Sequence, residues 1–136
     1  KINNLLDINP TLFQGLDSIE LAHELQKKLS AREKSLSCLL QINSAKEESK
    51  HGVMPEDALS IYKQVQDECP NIKLKGVMSI GAHSDDENPI KESFLKTKEI
   101  FDNCDGAKYL SMGMSGDYNI AILNGSNMIR VGSALF

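Results

Sequence analysis

The sequence predicts an α/β fold built on a parallel sheet. Short apolar or β-branched runs alternate with longer segments of helical period, and the connections between them are short. The segments that follow the strands hold nearly all the Gly, Ser and Asn able to take part in chemistry. At 136 residues the chain suits one domain or part of a larger one, and residues 1–136 are read as the C-terminal part of a single domain.

The first strand is expected over Thr11–Leu16, where TLFQGL is bounded by Pro10 and Asp17. Asp17 with Glu20 three residues later is a capping-box start, and Ile19, Ala22, Leu25 and Leu29 then recur at helical spacing. A second strand covers Leu36–Asn43 (LSCLLQIN) and runs into the polar stretch Ser44–Gly52. Pro55 suits a first helical position. Ala58, Ile61, Tyr62, Val65 and Cys69 share one face until Pro70 stops the helix. Leu74–Ile80 (LKGVMSI) is the third strand, followed by the loop Gly81–Asn88. Asn88 and Pro89 form a cap and first-turn pair for a helix with Ile90, Phe94 and Phe101 on one face. Tyr109–Met112 and Met128–Val131 are the last strands, separated by a short helix over Asp117–Leu123.

Right-handed crossovers place every post-strand loop on one rim of the sheet. The periodicity is equally compatible with an open five-stranded sheet and with part of a barrel.

Charge and composition narrow the function classes. Apolar residues make up 40% and charged residues 25%, the net charge is −4, and the pI is about 5.3. Lys and Arg are interspersed with Glu and Asp, so no basic stripe is available to neutralise a nucleic-acid backbone. No apolar run approaches the ~18 residues of a membrane-spanning helix, and no signal peptide is expected. Cys38, Cys69 and Cys104 form no CxxC pair, which fits reduced thiols and a cytoplasmic location rather than a disulfide framework or zinc site. They fall in or beside core segments and read as small hydrophobes. The chain begins at Lys1 and ends on Ala134-Leu135-Phe136, and is read as a fragment of a longer protein.

The stretch most able to carry chemistry is Ser111–Asp117 (SMGMSGD), with Arg130–Ser133 (RVGS) beginning fifteen residues after Ser115. Each segment lies at the C-terminal end of an expected strand. Glycine lets backbone N–H groups approach a ligand, a serine hydroxyl adds a donor, and a helix start favours an anion. In (β/α) barrels the loops after the last strands commonly bind phosphate. Ser115, Gly132 and Ser133 can supply that set, with the Arg130 guanidinium as a permanent cation nearby. Glycine-serine turns are also common after any strand, and an Arg at a strand end is often a surface residue, so the pattern leaves both readings open. His51 and His83 with Asp85, Asp86 and Glu87 match no standard metal-ligand spacing. His23, beside Glu24, reads as a surface helix residue.

The same residues resemble a known family. SMGMSGDYNIAILNGSNMIRVGSALF is similar to the C-terminal signature of the YggS/PROSC family, S-x-G-M-S-x-D followed by A-I, G-S-T and V-R-x-G-T-A-I-F-G. Leu40–Ser44 with Glu48–Gly52 resembles its Q-(V/I)-N-x-S-x-E-x-S-K-x-G block, and Lys75–Ile80 its G-L-M-x-I strand. Lys1 resembles the end of its L-Q-x-N-K segment. The blocks run along the whole chain in the family's order. Departures are Ser133 for Thr, Asn127 for Thr, Asn119 for an acidic residue, and Gln14-Gly15 where His-Ser is frequent.

The resemblance implies a (β/α)8 TIM-type barrel similar to the alanine racemase N-terminal domain, of which this chain holds about the last five strand–helix units. It implies a pyridoxal 5′-phosphate (PLP) binding protein of PLP homeostasis, without an assigned reaction. By motif, Ser115, Gly132 and Ser133 would hold the phosphate and Arg130 would face the pyridine nitrogen. A cation there keeps that nitrogen unprotonated and weakens the ring as an electron sink. The family's Schiff-base lysine lies on a strand outside this chain, and Lys50, in a charged run, offers no clear substitute. The implied partners are the cofactor and PLP-dependent enzymes that receive it, with a monomeric whole protein. Two other readings stand beside this one: a PLP-dependent amino-acid racemase, and a truncated barrel unable to hold PLP covalently, whose exposed strand edges invite association.

Overall fold

The structure is a computed structural model and describes residues 2–47 and 51–132. Its elements run α1 (Ile2–Ile8), β1 (Phe13–Leu16), α2 (Ile19–Arg32), β2 (Leu36–Ile42) and α3 (Pro55–Glu68). They continue with β3 (Ile72–Ser79), α4 (Glu87–Asp102), β4 (Tyr109–Met114), α5 (Tyr118–Leu123) and β5 (Met128–Arg130). The five strands are parallel and lie in sequence order, β1-β2-β3-β4-β5.

A sheet wound in one direction by right-handed crossovers carries its helices on one face. Burial agrees. Leu36, Cys38, Leu40 and Ile42 of β2 join one core cluster with Ala22, Leu25 and Leu29 of α2 and Ala58, Tyr62 and Val65 of α3. The opposite face is concave. Gln14 on β1 is bonded directly to Ser111 on β4 at 2.6 Å. Three strand spacings would separate them by about 14 Å in a flat sheet, so the sheet must curl for two short side chains to meet. The result is a half-barrel, the architecture expected for part of a (β/α)8 barrel.

Irregular register in three strand pairs maintains this two-faced sheet. Phe13 and Leu16 pair with Cys38 and Leu40, which leaves one extra residue in β1. Both apolar side chains therefore face the helices although they are three apart. In the same way Leu74 and Val77 of β3 both reach the core across a shift at Cys38/Leu39. The third shift lies in β4 between Ser111 and Met114. Gly76 makes the second possible: its φ is +154°, and a Cβ there would lie 1.9 Å from the Tyr109 carbonyl oxygen.

The observed caps correct two expectations. Ser18 rather than Asp17 caps α2, accepting from the Leu21 N–H at 3.1 Å. Asp86 rather than Asn88 caps α4, so Asn88 and Pro89 fall inside its first turn. In both stretches adjacent polar residues compete for the cap, and backbone direction decides between them. Helix α1 was not expected. The strand limits move by up to two residues at either end, as hydrogen-bonded boundaries commonly do.

All three cysteines are free and buried. Burial pushes the Cys38 thiol up from 9.0 to about 12 and the Cys104 thiol, with a smaller push from Asp105, to about 11. The neutral thiols are thus favoured by folding. Their contribution is fully present below about pH 9 and is lost as pH rises toward the folded values. We expect the urea midpoint to decline between pH 9 and 10.5, and less steeply in a Cys38→Ala, Cys104→Ala variant. Parallel profiles for the two proteins would contradict this.

Candidate functional site

The C-terminal ends of β3, β4 and β5 assemble the site. Met114 pairs with Arg130, so Ser115 and Val131 each follow directly on a paired residue of neighbouring strands. Ser115 is half-buried in the turn that links β4 to α5. That turn is closed twice: the Asp117 N–H donates to the Met114 carbonyl at 3.1 Å, and the Met114 N–H donates to Asp117 Oδ1 at 2.8 Å. Asp117 thus braces the loop instead of capping α5 with its side chain. With only six residues, α5 adds little dipole to attract an anion, so hydroxyl and guanidinium donors must carry more of that task.

Gly81, just beyond β3, lets this brace fit. A Cβ there would meet Asp117 Oδ2 at 2.7 Å and the Phe94 ring at 2.9 Å. Gly116 and Gly132 are exposed, and an added Cβ at either would meet nothing within 4 Å among the described residues.

Arg130 ends β5 and is half-buried on the concave face. Its Nη1 donates to Ser111 Oγ at 2.5 Å and its Nη2 to the Ser79 carbonyl at 2.8 Å. Thr97 Oγ1 of α4 is hydrogen-bonded to Ser79 Oγ at 2.8 Å, fixing that strand end from behind. Burial lowers the Arg130 pKa and the Asp117 carboxylate opposes the shift; a guanidinium stays charged regardless. Two of its five N–H donors are used by side chains or backbone among the described residues. The surface-residue reading of Arg130 does not hold.

Among the expected site residues, Ser115 lies in the turn after β4, Arg130 ends β5 and Gly132 follows it, at the C-terminal ends of neighbouring strands. Ser133 and Lys50 lie outside the described residues. Ser111 joins the site by contact with Arg130 and Gln14 by contact with Ser111, although only Ser111 stood within a recognised motif and neither had a role assigned. His23 bonds Glu68 at 2.7 Å on the helical exterior. Among the described residues no group of three or more His, Cys, Asp or Glu side chains converges. A cavity of about 400 Å3 lined by Ser37, Lys75, Lys108, Tyr109 and Met128 lies at the opposite, N-terminal end of the strands. Barrel sites form at the C-terminal end, where the convergent donors are. The fit to a phosphate-bearing pyridine is one of donor chemistry: a hydroxyl and exposed glycines on one side, a fixed cation on the other.

Comparison with known proteins gives the setting. The family model for the alanine racemase N-terminal domain matches residues 4–136. A pyridoxal phosphate homeostasis protein of Helicobacter pylori is 52% identical over all 136 residues, and the chain spans 61% of that relative's length. A crystal structure of an unknown protein from Bifidobacterium adolescentis superposes with a TM-score of 0.91 at 34% identity, covering 100% of this chain and 57% of that one. The fold is also that of PipY from Synechococcus elongatus with PLP bound, with a TM-score of 0.78 at 24% identity over 93% of this chain and 60% of PipY.

The bracing of the site can be tested apart from any ligand. Gly81→Ala should destabilise the protein by about 1–3 kcal/mol by displacing Asp117 or Phe94. Gly116→Ala, with no neighbour to displace, should stay within about 0.5 kcal/mol. Equal denaturation midpoints for the two variants would refute the packing described.

Proposed function

The chain belongs to the family of the alanine racemase N-terminal domain, and from that premise we propose that it binds PLP at this rim and serves PLP homeostasis. Fold alone would not license the step, because one barrel hosts many chemistries. The observation that carries it is Arg130, a charged guanidinium held on the concave face. The names of relatives such as the Helicobacter pylori protein point the same way.

In this reading Ser115, with Gly132 and Ser133, holds the phosphate. The Ser115 hydroxyl donates to a phosphate oxygen, and the glycine leaves room for that oxygen to approach backbone N–H groups. Arg130 donates to the pyridine nitrogen. Because a guanidinium has no acceptor and does not give up its proton, that nitrogen is kept unprotonated. Bound PLP supplies an electron-withdrawing ring, and this partner restrains it. Such a site is suited to holding and releasing the cofactor more than to stabilising a carbanion. We place the whole protein in the cytoplasm as a monomer, with PLP-dependent enzymes as recipients; the buried, free thiols are compatible with a reducing compartment. No helix among the described residues is long and apolar enough to cross a membrane.

Each charge-assisted hydrogen bond to phosphate contributes about 1.5–3 kcal/mol. Replacing both hydroxyls, Ser115→Ala with Ser133→Ala, should therefore weaken PLP binding by the full-length protein at least about tenfold. Fluorescence titration with PLP measures this, and unchanged affinity would refute the phosphate assignment.

A further inference from the structure

We propose that Gln14 is a positioning residue for the cationic end of the site, fixing through Ser111 the direction in which Arg130 donates. The inference rests on the reading above, in which Arg130 meets the pyridine nitrogen.

The argument is one of donors and acceptors. A guanidinium only donates, so Ser111 Oγ must accept from Arg130 Nη1, at 2.5 Å. The single Ser111 O–H then has to find an acceptor elsewhere. Gln14 Oε1 receives it at 2.6 Å. The reverse orientation of the Gln14 amide would point an N–H at Ser111, and the serine hydrogen would have no acceptor on that side. Ser111 is fully buried, with no solvent to take its place. The bonds therefore run one way only, from Arg130 to Ser111 to Gln14. With Nη2 tied to the Ser79 carbonyl, the guanidinium plane is held at two points on two different strands.

Gln14 reaches this position through the extra residue in β1. Phe13 and Leu16 both turn to the helices, and Gln14 is left on the concave side. Its contact also links the first strand to the fourth, so the same bond that orients Arg130 holds the sheet in its curved form. Remove the Gln14 acceptor and Ser111 rotates to find another, releasing Nη1. Arg130 keeps its charge and its Ser79 contact but loses its fixed plane.

The test uses Gln14→Met, which keeps size and removes the acceptor, and Gln14→Glu, which restores it. Ser111→Ala breaks the same link from the other side. The first readout is the Arg130 guanidinium in 15N–1H NMR spectra of the unliganded protein. The second is the affinity of the full-length protein for pyridoxine 5′-phosphate, which carries ring and phosphate but no aldehyde. Circular dichroism confirms that each variant is folded. We expect protected Arg130 N–H signals in the wild type and in Gln14→Glu. In Gln14→Met and Ser111→Ala those signals should exchange rapidly, with about tenfold weaker binding of the probe. Wild-type-like signals and affinity in folded Gln14→Met would overturn the positioning role while leaving the cofactor site standing. Arg130 signals that respond to Gln14 in a protein that never binds the probe would overturn the cofactor reading, and this inference with it.

Discussion

A guanidinium placed on the inner face of a curved sheet constrains everything around it. Arg130 cannot shed its charge, so each group it touches must accept, and the backbone has to deliver those acceptors from separate strands. Ser79 supplies a carbonyl from the end of β3 and Ser111 a hydroxyl from the middle of β4. Curvature brings β1 within reach of β4, and the extra residues in β1 and β4 decide which side chains turn inward. Rim and core are thus two consequences of the same register.

The opposite face depends on that register too. Leu110 and Met112 of β4 pack against the helices while Ser111 between them faces inward. Behind β3, Thr97 reaches from α4 to the Ser79 hydroxyl, so a helix buried in the core steadies the strand end that receives Arg130. Asp117 plays a parallel part at β4, closing the turn that carries Ser115 against the bare backbone of Gly81. Strand residues therefore hold Arg130 and its acceptors, while the turn that carries Ser115 is braced by Asp117, which is what a preorganised binding site requires.

Much of this was readable from the sequence. The order and type of the five strands and the helices between them follow from periodicity, because the apolar runs are long and the breaks clear. The positions of Ser115, Arg130 and Gly132 at or beyond strand ends follow from the strand pattern, and the family blocks suggest the chemistry proposed for them. Helix α1 was missed because seven residues with two asparagines give too little periodic signal. The caps of α2 and α4 were misplaced by one and two residues because several polar side chains in a row can each cap. Gln14 and Ser111 were invisible as partners for a different reason. They are 97 residues apart, and strict alternation would put Gln14 on the same face as Leu16. Only the irregular register, which no period-two pattern encodes, separates them.

The central claim is that Arg130 faces the ring nitrogen of PLP and keeps it unprotonated. The most direct measurement is the 15N chemical shift of ring-labelled PLP bound to the full-length protein at neutral pH. The account predicts the shift of an unprotonated, hydrogen-bonded pyridine that moves toward pyridinium in Arg130→Glu. A pyridinium shift in the wild type would contradict it.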